Sequence, residues 1–133
     1  MAFVLDSSVT LAWLLPDETN IHTDALADRL EQENAHVPSI WSLEVGNALM
    51  MARHRQRITE KEFDRCISAF SSLPIKVDPP AELANVLAIA QRFTLTSYDA
   101  AYLELARRLG FPLATLDQEL RRACKTLRVA VLP

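Results

Sequence analysis

Short apolar runs alternate with longer stretches of helical spacing along the whole chain, and this alternation restricts the fold more than any other feature of the sequence. Phe3-Val4-Leu5 is a short buried-strand candidate, and Asp6-Ser7-Ser8 behind it suits a strand end and a helix N-cap. Val9 to Leu15 then makes a short helix stopped by Pro16. From about Asn20 to Glu33, Ile21, Ala25, Leu26 and Leu30 share one helical face, and His36-Val37, ended by Pro38, is the next strand. A third helix is expected from about Ser39 to His54. Thr59 with Glu62 forms a capping box ahead of an apolar stripe of Phe63, Cys66, Ile67 and Phe70. Ile75-Lys76-Val77 has strand character. Pro79-Pro80 is expected to open another helix, in which Leu83, Val86, Leu87 and Ala90 recur at the helical period up to Phe93. Thr96 or Ser97 caps a helix over Tyr98–Leu109 that stops at Gly110. Pro112–Thr115 is a strand, Asp117 begins or caps the helix after it, and Val129-Ala130-Val131 is a last strand. Strands alternating with helices throughout predict an α/β fold: a parallel sheet covered on both faces.

With 133 residues, half of them hydrophobic, the chain can fill one core as a single domain over residues 1–133. Cys66 and Cys124 lie far apart with no Cys-x-x-Cys or Cys/His ligand spacing, which disfavours a zinc site or disulfide framework and suits the reduced cytoplasm. The start of the chain lacks a signal-peptide pattern, and no run approaches the roughly 18–20 apolar residues that cross a bilayer. A net charge of −3 argues against a surface that attracts nucleic acid everywhere. It does not exclude a nuclease, because bound cations partly neutralise a cluster of carboxylates.

Ligands of parallel α/β sheets bind at the carboxyl ends of the strands. Asp6 follows the first strand directly, and Asp117 stands two residues beyond Thr115, so both should project from the same sheet edge. Asp99 lies in the first turn of a helix, and Glu44 lies inside one together with Asn47. If those helices turn their acidic faces to the edge, Asp6, Glu44, Asp99 and Asp117 converge. Their mutual repulsion then calls for hard cations, and Mg²⁺ or Mn²⁺ on oxygen ligands suits the hydrolysis of a phosphodiester. Each residue also has an ordinary role. Asp6 serves as an Asx-turn or N-cap residue, and Asp99 and Asp117 as first-turn acids favoured by the helix dipole. Glu44 is harder to place so, because Ile40, Trp41, Leu43 and Val45 surround it. Only the coincidence of all four points to a site.

Taken in order, these motifs resemble the PIN domain, and within it the VapC-type toxin nucleases of toxin–antitoxin pairs. The resemblance rests on Phe3–Val9, on Ala12–Glu18, on Pro38–Leu49 with Trp41, Glu44 and Asn47, on Thr96–Leu103 and on Leu113–Asp117. It covers essentially the whole chain and implies a PIN-like three-layer α/β/α sandwich with a central, mainly parallel sheet. It further implies that Asp6, Glu44, Asp99 and Asp117 hold Mg²⁺ or Mn²⁺ directly or through water, with Ser7, Asn47 and Thr115 as supporting polar neighbours. The implied activity is metal-dependent endoribonuclease cleavage of RNA, often tRNA or rRNA. The implied partners are a VapB-type antitoxin and a second copy of the chain in a homodimer. Bulky Leu116, between Thr115 and Asp117, is a small departure from the pattern.

Two other functions compete. A signalling receiver domain also has an acidic Mg²⁺ pocket, but it needs adjacent acids after its first strand and a lysine after its last, and this chain has neither. A non-catalytic PIN-like RNA- or protein-binding module would be expected to have lost carboxylates, and all four are present. The basic run Arg53, His54, Arg55 and Arg57 suits either phosphate contact or a solvated helix end, with the second favoured, and Arg121, Arg122, Lys125 and Arg128 share that ambiguity. Asp78 is expected in a surface turn. Trp13, Trp41, Phe63, Phe70 and Phe93 are expected in the core. Gly46, mid-helix, calls for close packing or a partner.

Overall fold

The computed structural model describes residues 1–133. Its elements run β1 (Ala2–Leu5), α1 (Ser7–Leu14), α2 (Ile21–Arg29), β2 (Asn34–Val37), α3 (Trp41–His54), α4 (Glu60–Ser71), β3 (Ile75–Val77), α5 (Leu83–Phe93), α6 (Ser97–Leu109), β4 (Leu113–Ala114), α7 (Gln118–Leu127) and β5 (Val131–Leu132). All five strands join one sheet in the order β3-β2-β1-β4-β5. Every pairing is parallel, with Val4 opposite both His36 and Leu113. The order differs from the 2-1-3-4-5 arrangement of receiver-like folds.

The chain steps outward from β1 to β3, then crosses back to β4 and continues to β5. Right-handed crossovers in opposite directions put their helices on opposite faces. The helix contacts agree: α1 touches α2, α3 and α4, whereas α6 touches α5 and α7 and packs on β1 and β4. The result is a three-layer α/β/α sandwich, with Phe3, Val4, Leu5, Leu49, Tyr102, Leu103, Leu113 and Leu120 fully buried in its core.

Local signals account for most of the boundaries. Asn20 caps α2 by accepting from the backbone N–H groups of His22 and Thr23, and Thr59 and Glu62 complete a reciprocal capping box on α4. Thr96 caps α6, and Gly110 ends it in the left-handed region at φ 71°. The Trp41 indole donates to the Thr10 hydroxyl at 2.9 Å in the core and stacks on Phe70, which fixes α3 against α1 and α4. No helix is long and apolar enough to cross a membrane.

Four expectations need correction, and one is the last strand, which is Val131–Leu132 and not Val129-Ala130-Val131. Pro79-Pro80 lies ahead of α5, which begins at Leu83, and the Leu83–Leu87 edge of that helix is exposed while Val86, Ile89 and Ala90 are buried. Asp78 is buried and not in a surface turn. Its backbone N–H continues the β2–β3 ladder to the Val37 carbonyl, which brings its carboxylate 2.7 Å from the His36 imidazole. Close packing within the chain does not explain Gly46, since a Cβ there would meet nothing within 4 Å.

Candidate active site

The strand order reverses between β1 and β4, and the crevice at such a reversal is where open α/β sheets bind ligands. Asp6 leaves the end of β1 on one side of it, and Thr115 and Asp117 leave β4 on the other. Asp6 is 3% exposed, and its carboxylate accepts the hydroxyls of Ser8 at 2.6 Å and Thr115 at 2.8 Å. Burial holds its carboxyl above the ordinary carboxylate range, against the pull of those hydrogen bonds. The Thr115 hydroxyl also accepts the backbone N–H of Asp117, and the Asp117 carboxylate accepts that of Leu120 as the cap of α7.

The two helical acids come from opposite layers. Glu44 projects from α3 and Asp99 from the first turn of α6, both partly exposed. Burial and then the charges of Asp6 and Asp99 raise the Glu44 carboxyl, opposed by a hydrogen bond from Tyr102. Burial, Asp6 and Asp117 raise Asp99. Glu44 thus feels the charges of Asp6 and Asp99, and Asp99 those of Asp6 and Asp117, near the edge where β1 and β4 end. The Tyr102 hydroxyl, fully buried, donates to Glu44 Oε1 at 2.6 Å and so ties α6 to α3 across that edge.

The expected supporting residues fare differently. Thr115 bonds Asp6 directly, whereas the Ser7 hydroxyl reaches Asp6 only at 3.5 Å. Asn47 is exposed one turn beyond Glu44 and is not bonded to the carboxylates. Two closer supports went unassigned in the sequence. Ser8 is next to Ser7, so the chain could not say which hydroxyl faces the acid. Tyr102 is three residues beyond Asp99, a spacing that puts both on one helical face.

An all-oxygen set of this kind suits Mg²⁺ or Mn²⁺ better than softer ions. No three acidic, histidine or cysteine side chains stand close enough to ligate one ion directly. Mg²⁺ usually takes one or two carboxylates and keeps several waters. The residues present therefore fit a partly hydrated divalent cation.

Two members of the basic run at the end of α3 are held within the fold. Arg53 pairs with Glu60 and lies 3.9 Å over the Phe63 ring, and Arg57 bonds Asp17 and Glu18. Both cysteines are buried and unpaired, and burial pushes the Cys124 thiol up to about 11.

The PIN-domain profile matches residues 3–126. Ribonuclease VapC12 of Mycobacterium tuberculosis is 34% identical over 120 residues, which covers 90% of each chain. Ribonuclease VapC3 of Pyrobaculum aerophilum is 29% identical over 123 residues, covering 90% of this chain and 92% of the relative. The crystal structure of PAE2754 from Pyrobaculum aerophilum superposes with a TM-score of 0.68 at 25% identity, over 98% of this chain and 83% of the other. With a parallel sheet and acids gathered where its strand order reverses, this chain belongs to the PIN-domain family. Within that family it is of the VapC type.

Proposed function

We propose that residues 1–133 form a single nuclease domain: a divalent-metal-dependent endoribonuclease that acts as the toxin of a type II toxin–antitoxin pair. The bond hydrolysed is an RNA phosphodiester, with tRNA or rRNA as the expected target. The observation that carries this is the placement of Asp6 and Asp117 at the ends of β1 and β4, with Glu44 and Asp99 raised by burial and then by the charges of these neighbours. When bound there, Mg²⁺ or Mn²⁺ supplies a hydroxide-like water and offsets charge developing on the phosphate oxygens.

The chain's own groups hold that arrangement. Ser8 and Thr115 both donate to Oδ2 of Asp6 and leave Oδ1 for the site, and Tyr102 fixes Oε1 of Glu44 and leaves Oε2. Asp99 and Asp117 act as the remaining oxygen donors, directly or through water. Two further parts of the proposal concern partners. A VapB-type antitoxin and a second copy of the chain would cover apolar surface that the fold leaves open, including Leu43, Met50, Leu83 and Leu87. The cytoplasm is the proposed location, supported by the two unpaired cysteines.

The test is incubation of purified, partner-free protein with labelled RNA in Mg²⁺ or Mn²⁺, beside EDTA and an Asp99→Asn variant. Cleavage that needs metal and is lost in the variant is expected. Cleavage that survives the substitution would put the chemistry elsewhere. Folded protein that cuts no RNA would favour a non-catalytic PIN-like binding module.

A further inference from the structure

Arg121 stands apart from the paired arginines of this chain. Arg29, Arg53, Arg57, Arg108 and Arg122 each bond a carboxylate. Arg121 instead donates from Nη1 to the main-chain oxygen of Thr115 at 2.8 Å, and from Nη2 to that of Pro133 at 3.3 Å. A guanidinium has five N–H donors, so these two bonds seat the group and leave other donors free.

Its seat is the notable part. The Thr115 residue that holds Arg121 through its carbonyl holds Asp6 through its hydroxyl. Arg121 also lines a cleft of about 340 Å³ with His22, Leu116, Gln118 and Pro133. Leu116 and Gln118 are the residues on either side of Asp117 in the chain, so the cleft lies at the same end of β4 that carries Asp117. An acidic cluster repels the RNA backbone on either side of the cleaved bond, and a fixed arginine beside it is suited to planar, bidentate capture of a phosphate. Gln118 and His22 are exposed and can donate to the same phosphate, and Leu116, 37% exposed, offers an apolar surface to a ribose or base.

We propose that this cleft is the subsite for an RNA phosphate next to the one cleaved, with Arg121 as its principal contact. It rests on the nuclease function proposed above. The test is binding of a fluorescein-labelled single-stranded RNA to the Asp99→Asn protein in Mg²⁺, with and without Arg121→Ala or Arg121→Lys, across a salt series. Arg121→Ala is expected to weaken binding about tenfold and to make the slope of log affinity against log salt shallower by about 0.7, the value for one contact to a single strand. Arg121→Lys keeps the slope and recovers part of the affinity. Arg122→Ala, next in sequence but paired with Glu119, leaves both unchanged. In the uncut background a methylphosphonate at the linkage beside the cleavage site should weaken the arginine form and have little effect on Arg121→Ala, a comparison made on folded proteins. In otherwise wild-type protein, Arg121→Ala should raise KM for RNA and change kcat less than twofold.

An unchanged slope with Arg121→Ala would overturn the proposal, because loss of the Thr115 seat alone does not alter the number of phosphates neutralised. Wild-type protein that cuts RNA while Arg121→Ala matches it in KM overturns the subsite and leaves the nuclease standing. Wild-type protein that neither binds nor cuts RNA overturns both. Binding of an acidic peptide that needs Arg121, without any effect on RNA, would assign the cleft to a protein partner instead.

Discussion

Asp6 is gripped by two hydroxyls and opposed by the charges of Glu44 and Asp99, so its carboxylate is well placed and poorly tolerated at once. Removing one like charge should therefore help the metal-free fold while harming the chemistry. Asp99→Asn is expected to melt roughly 1–3 °C higher than wild type at pH 7 without metal, and to lose RNA cleavage. Thermal melts and a cleavage assay on the same preparation check this, and a lower melting temperature would contradict the repulsion between these groups. Tyr102 is the complementary case. Tyr102→Phe keeps the buried ring and deletes the donor to Glu44, so urea unfolding should show a loss of about 1 kcal/mol, at the low end because water can reach Glu44. Single-turnover cleavage should slow at least several-fold with little change in RNA affinity. Unchanged cleavage would mean that the orientation of Glu44 does not matter to the reaction.

At the scale of elements, α5 shows what a sequence can and cannot decide. Leu83-Ala84-Asn85-Val86-Leu87-Ala88-Ile89-Ala90 is apolar nearly all round, so two overlapping stripes satisfy the helical period. Packing against α6 chooses the one with Val86, Ile89 and Ala90 and leaves Leu83 and Leu87 outside. Ile89→Ala should therefore cost about 2–4 kcal/mol and Leu87→Ala under about 1 kcal/mol in denaturant titrations. Equal costs would show that the helix is rotated from its described face. The same contrast explains what was legible elsewhere. Caps are local, so Thr59, Thr96, Gly110 and Asp117 could be read directly, as could the strand ends that position Asp6 and Thr115. Which hydroxyl faces Asp6, and that His36 meets Asp78, depend on sheet register between residues far apart in the chain. No local spacing carries that information.

At the scale of the whole molecule, the site should set how stability responds to pH and metal. Asp6, Glu44 and Asp99 all have carboxyls raised above their ordinary values of 3.8 for Asp and 4.5 for Glu. From those values upward to the raised ones, the metal-free native chain holds more protons than the unfolded chain. The slope of stability against pH is then negative, so stability present below the ordinary values is lost as pH rises through the raised ones. Asp17, Glu33 and Glu62 are lowered, so their opposite contribution is lost only as pH falls below about 4.5 and does not offset the trend above it. Histidine protonation falls in the same range in any protein, so the carboxylate part is the difference between wild type and Asp99→Asn, whose slope should be flatter. Saturating Mg²⁺ or Mn²⁺ binds the ionised form and should reverse the sign in wild type, adding about 2.7 kcal/mol at a hundredfold excess over Kd. Melting curves from the ordinary carboxylate values up to neutral pH, with EDTA and with metal, measure both effects. A metal-free curve that rises towards neutrality, parallel in wild type and variant and untouched by metal, would mean that these acids repel one another too weakly to need a cation.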